Sequence, residues 1–110
     1  MNRPVSLSEP ALADLFSIND YYLVESDDKT AAKIIDRLEE AVNSLAECTE
    51  CGSIPKELLA LGITQYRQII VKPYRIIYEQ LPETVIVHAI LDGRRDIETL
   101  LSQRLARSGM

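Results

Sequence analysis

The stretch from Tyr66 to Asp96, YRQIIVKPYRIIYEQLPETVIVHAILDGRRD, constrains the fold of this chain more than any other. Nowhere else are β-branched and aromatic residues packed so densely, and such residues suit a pleated, half-buried surface. Three runs are expected to be strands: about Thr64 to Val71, Arg75 to Gln80 and Val85 to Leu91. Lys72-Pro73 interrupts the first pair, because proline presets φ and has no N–H for a ladder. Leu81-Pro82-Glu83-Thr84 interrupts the second. Connections this short demand antiparallel hairpins. Each run is partly apolar on both faces, so each face of the resulting sheet needs a cover.

The preceding residues supply helices. Arg3 to Leu7 is a short strand candidate, and Ser8 then caps a helix running to about Glu25, with Pro10 in the first turn where a missing N–H costs nothing. Its expected buried stripe is Leu12, Leu15, Phe16, Ile18, Tyr22 and Leu23. Ser26-Asp27-Asp28 ends it and caps a second helix, about Lys29 to Glu47. There Ala31, Ile34, Ile35, Leu38, Val42 and Leu45 form the apolar face, and Glu40 and Glu47 belong to a solvated surface. Two such helices on a short polar link pair antiparallel. Gly52, Pro55 and Gly62 punctuate an irregular segment in which Lys56 to Leu59 fits a single helical turn. After Asp92-Gly93, Asp96 is placed to cap a last helix, Ile97 to about Arg107, buried through Ile97, Leu100, Leu101 and Leu105.

The expected fold is therefore one α+β domain over residues 1–110. An antiparallel helical pair packs on a small twisted, mainly antiparallel sheet with a C-terminal helix, in the order β-α-α-β-β-β-α. The helical pair covers one sheet face. One short C-terminal helix is too small to fill the other, so an exposed apolar surface is expected there, of the kind that marks a partner site.

The net charge of −5 argues against a generic nucleic-acid binder. The charge is uneven: acidic residues dominate from Glu9 to Glu57, while Arg and Lys slightly outnumber them from Gln65 to Gly109. Any anionic partner should meet the second half. No run approaches the roughly 20 apolar residues of a membrane span, and the first residues lack a secretory pattern. The chain reads as cytoplasmic. Cys48 and Cys51 lack the further ligands that zinc needs, with His88 the single histidine. No metal and no cofactor are expected. The pair reads as two small side chains at a helix end, whose oxidation the sequence leaves open.

In that order, the segments SEPALADL, YRQIIVKPYRIIYE and VIVHAILDGRRDIETLL resemble the RelE/ParE superfamily of bacterial toxins from type II toxin–antitoxin modules. The resemblance covers nearly the whole chain. Tyr66-Arg67, Pro73-Tyr74-Arg75-Ile76-Ile77-Tyr78 and Gly93-Arg94-Arg95-Asp96 match the family's three strand motifs. Asp92 departs from it, standing where many relatives have histidine. The resemblance implies a toxin, neutralised by a cognate antitoxin and able to form a hetero-oligomer with it, in one of two branches. The ParE branch, tied to plasmid stabilization, inhibits DNA gyrase by binding and has no active site of its own. The RelE branch is a ribosome-dependent mRNA endoribonuclease, for which Arg67, Tyr74, Arg75 and Arg94 would be the catalytic candidates. A non-toxic antitoxin-binding paralogue is a third possibility.

RNA cleavage needs a base, an acid and cationic stabilisation of the phosphorane. This chain has arginines and tyrosines but a thin acid–base set. His88 lies inside an apolar strand and reads as a sheet residue. Asp92 would repel a scissile phosphate, and the acidic net charge opposes approach to RNA. These points favour the ParE-like branch, with Arg67, Lys72, Tyr74, Arg75, Tyr78, Arg94 and Arg95 as the expected antitoxin- or target-binding residues. Arg94 and Arg95 sit before a helix N-terminus, where the dipole disfavours cations, so an acidic partner or Asp92 should answer them.

Overall fold

A computed structural model describes residues 3–94 and 97–108. The elements are β1 (Val5–Leu7), α1 (Glu9–Glu25), α2 (Asp28–Ser44), α3 (Lys56–Leu59), β2 (Tyr66–Val71), β3 (Tyr74–Gln80), β4 (Val85–Asp92) and α4 (Ile97–Ser108). The α+β order expected from the sequence is the order found. Arg95 and Asp96, with the expected cap of the last helix, lie outside the described residues, as do the side chains of Ile97 and Leu105.

The sheet order is β1-β4-β3-β2. Antiparallel hairpins join β2 to β3 and β3 to β4, and β1 runs parallel to β4 with Val5 opposite Val85 and Leu7 opposite Val87. The Lys72–Pro73 peptide in the first hairpin is cis. The β3–β4 register shifts by one residue: Ile77 faces Ala89, whereas Tyr78 faces Val87. His88 is the extra residue at this bulge. A bulge exchanges the faces of a strand beyond it. Thus Val85 and Val87, then Ile90, point to one side, and Ala89 and Leu91 point to the other.

On the first side α1 and α2 bury Ala11, Ile18, Leu38, Val42 and Leu45 against Tyr74, Ile76, Tyr78, Val85, Val87 and Ile90. The caps are as expected: the Ser8 hydroxyl accepts from the Ala11 N–H at 3.2 Å and the Asp27 carboxylate from the Thr30 N–H at 2.7 Å. The stripe expected on α1 requires correction. The helix approaches the sheet through the small Ala11, with Leu15 and Tyr22 half-buried beside Ile18, and this turns Leu12, Phe16 and Leu23 outward. Phe16 is 63% exposed and Val24 80%. A small residue lets the helix axis come closer to the sheet, and that gain in packing outweighs burial of the larger side chains.

The expectation of an open second face is also corrected. Leu58 of α3 and Leu101 of α4 cover Tyr66, Ile77, Ala89 and Leu91, with Ile63 and Leu100 filling the margin. The short α3 and its flanking segment add the cover that α4 alone could not supply. The remaining exposed large apolar side chains among the described residues lie on α1 and at the α3–β2 margin, where Leu59, Leu61 and Ile70 are exposed.

Candidate functional site

The register places Arg67 opposite Tyr78, on the helical side of the sheet, and Arg75 opposite Ile70, on the other. These two arginines therefore point to opposite faces of the sheet. Both have internal partners. Arg67 Nη1 donates to the Gly52 carbonyl at 2.8 Å, and Arg75 Nη1 lies 3.0 Å from Glu57 Oε1 with both side chains largely buried. Desolvation, the largest single influence, pushes the Glu57 carboxyl upward, but the Arg75 hydrogen bond, a backbone hydrogen bond and the charges of Arg75 and Lys56 together outweigh it and leave it below the usual value.

Tyr78 is fully buried. Its hydroxyl donates to the Thr49 carbonyl at 2.9 Å and accepts from the Gly52 N–H at 3.0 Å. Burial raises its pKa. Tyr74 is buried at the start of β3 and donates to the Tyr22 hydroxyl at 3.2 Å. Burial first, and then that bond, push its phenol well above the ordinary range. Lys72 is exposed in the β2–β3 turn. Arg94 is exposed too, its side chain 74% open to solvent. Its Nε and Nη2 grip the two Asp92 oxygens at 3.0 and 2.7 Å, and Asp92 stabilises the guanidinium charge. Asp92, the departure from the family motif, is thus the local answer to Arg94. Arg95 lies outside the described residues.

His88 is a sheet residue. Its Nε2 lies 3.0 Å from Glu79 Oε1, and its ring meets Tyr66 edge-on at 5.4 Å. The bulge withdraws its carbonyl from the β3 ladder, and Arg104 Nη1 donates to that oxygen at 3.1 Å.

Of the expected residues, Tyr74 and Arg94 come together. They line a cleft of about 310 Å³ between α1, β4 and α4, with Asp14, Ser17, Tyr21, Asp92, Leu100 and Arg104 around them. Gly93 positions Arg94 there: its N–H donates to the Pro73 carbonyl at 2.7 Å, and an added Cβ would stand 3.2 Å from that oxygen. The floor is a clamp. Asp14 Oδ2 accepts from the Ile90 N–H at 2.9 Å and from Arg104 Nη1 at 2.8 Å, and Asp14 Oδ1 accepts from Arg104 Nη2 at 3.1 Å. The cleft thus presents one outward guanidinium and the exposed ring of Tyr21 above a neutralised ion pair. That is binding equipment of mixed charge. Sequence reasoning missed Asp14, Tyr21 and Arg104. Their signal was faint: Asp14 falls on the Ala11–Ile18 stripe, where a carboxylate needs a cation.

A parallel edge strand, two helices on one sheet face and a helical turn plus α4 on the other give the chain a RelE/ParE-like fold. The profile of the family described as "ParE toxin of type II toxin-antitoxin system, parDE" matches residues 5–97, and the chain belongs to that family. Among solved structures it resembles one titled "Chromosomal ParDE TA system from P. aeruginosa". The TM-score is 0.67 at 19% identity, over 80% of this chain and 92% of that one. Comparison with curated proteins gives no match.

Proposed function

We propose that this chain is the toxin of a type II module that inhibits DNA gyrase by binding it, acts in the cytoplasm and is silenced by a cognate antitoxin. The observation that carries the choice of binding over RNA cleavage is His88. Its side chain is only 11% exposed, on the sheet, with Glu79 as partner. A general base must reach the proton it takes. The two tyrosines best placed by motif, Tyr74 and Tyr78, are buried with raised pKa values, which makes each a poor proton donor or acceptor near neutrality.

Arg94, Lys72 and Arg95 are the cationic contacts for an acidic partner segment. Arg67, Arg75, Tyr74 and Tyr78 act through the fold instead, by holding the segments next to them. The exposed α1 stripe of Leu12, Phe16 and Leu23 gives an antitoxin apolar surface on the flank of α1 turned away from the Tyr21–Arg94 cleft. Family membership supports the same reading.

The test is in vitro. Purified protein is added to gyrase supercoiling and cleavage reactions, and separately to a translating extract. The expected result is lost supercoiling with trapped cleaved DNA and intact mRNA, reversed by the antitoxin encoded beside it. Cut mRNA with unaffected gyrase would instead assign the chain to the ribonuclease branch. Tight antitoxin binding with neither effect would make it a paralogue without toxicity.

A further inference from the structure

The corner between α2 and β2 carries a feature that neither partner binding nor the fold requires. Cys48 and Cys51 are both exposed there and are joined as a disulfide, with their Cα atoms 5.5 Å apart. Their positions are set from outside the pair. The Arg3 N–H donates to the Ala46 carbonyl at 2.9 Å, and Arg3 Nη1 to the Thr49 hydroxyl at 3.1 Å. Tyr78 holds Thr49 and Gly52 from the core, Arg67 holds the Gly52 carbonyl, and Ser53 pairs with Gln68 of β2. Gly52 has no spare room, since an added Cβ would lie 2.5 Å from the Gln68 carbonyl and 2.6 Å from the Tyr78 hydroxyl. The fold therefore brings the two sulfurs together in advance.

We propose that Cys48 and Cys51 form a reversible thiol–disulfide site, exchanging with a low-molecular-weight disulfide, whose closure stiffens the corner that holds Arg67 and Tyr78. In the exchange, one cysteine thiolate attacks the small disulfide and expels one thiol, leaving a mixed disulfide on the protein. The second cysteine then attacks the protein sulfur and expels the other thiol. Two protein thiols are oxidised, one small disulfide is reduced to two thiols, and the two protons leave with them. A ring closed over a separation of three residues constrains the unfolded chain little, so the bond acts locally. Its exposure leaves it open to small thiols in both directions. In a reducing compartment such a pair is a sensor, open at rest and closed under oxidation.

The experiment uses the full chain with glutathione as the probe. Protein is equilibrated across ratios of reduced to oxidised glutathione, quenched in acid, alkylated and weighed. One transition from doubly alkylated to unalkylated chain is expected, reversing in reduced buffer. Hydrogen exchange then reads the corner: the amides of Gly52, Ser53 and Gln68 should exchange about tenfold more slowly in the closed form, while the centre of β3 is unchanged. Cys51→Ser should take a single glutathione and keep fast exchange at those amides in both buffers. The proposal is overturned by thiols that stay alkylable at every ratio, by mixed disulfides that never close, or by corner amides that exchange alike in both forms.

Discussion

Arg104 of α4 and Asp14 of α1 meet in a two-pronged ion pair, at 2.8 and 3.1 Å, across the end of β4. The pair does more than join two helices. β1 stops at Leu7, so beyond Val87 this edge of β4 has no neighbouring strand among the described residues. Asp14 takes the Ile90 N–H and Arg104 takes the His88 carbonyl, and together they satisfy the backbone where the strand partner ends. Arg104→Ala, Asp14→Ala and the double variant should show a coupling energy of about 1–3 kcal/mol in denaturant unfolding. Additive losses would mean that the two side chains act separately.

Tyr78→Phe should destabilise the protein by about 1–3 kcal/mol, because the Thr49 carbonyl and the Gly52 N–H lose a partner inside the fold. Gly52→Ala should cost a similar amount, about 1–3 kcal/mol, through overpacking against the Gln68 carbonyl and Tyr78. Urea unfolding of the two variants, and of their combination, checks both.

Glu57 and Asp27 set an acid limb. Burial raises the Glu57 carboxyl, and the Arg75 bond together with a backbone hydrogen bond and the neighbouring cations more than cancels that, while the Thr30 N–H lowers Asp27. A folded-state pKa below the unfolded one gives stability that is present at higher pH and lost as protons bind. The loss should begin near the ordinary values of 4.5 for Glu57 and 3.8 for Asp27 and grow as the pH falls through the lowered ones. Glu57→Gln should flatten the upper part of this limb in melting temperature against pH.

Arg94→Ala should separate binding from folding. Its side chain is 74% exposed, so stability should change by no more than about 0.5 kcal/mol. Affinity for the antitoxin, and gyrase inhibition if the functional proposal holds, should fall roughly 10- to 100-fold if Arg94 is an anchor. Phe16→Ser should leave the melting temperature in place and weaken the antitoxin by a comparable factor, measured by calorimetry.

The strands, the α2 stripe and both helix caps were legible because each rests on local chemistry: β-branched density, a 3.6-residue period, and a Ser or Asp ahead of a helix. α1 misled because it is apolar on more than one side, and the stripe chosen by side-chain size left out Ala11, the residue that meets the sheet. The second-face cover was missed because Leu58 comes from a single helical turn in an irregular segment. Site reading failed where partners are far apart in sequence. Nothing near Arg67 announces the Gly52 carbonyl, and nothing near Arg75 announces Glu57. Arg94 was readable because Asp92 is two residues away.

The one-residue step at His88 divides β4 into two halves of opposite parity. Even and odd positions before it do not carry the same burial as even and odd positions after it. Relatives lacking that residue would keep Val85, Val87, Ala89, Ile90 and Leu91 on their present faces, in one unbroken alternation. A deletion there should therefore preserve the burial pattern, whereas a strand that kept His88 but paired without the bulge would turn Ala89, Ile90 and Leu91 to the opposite faces.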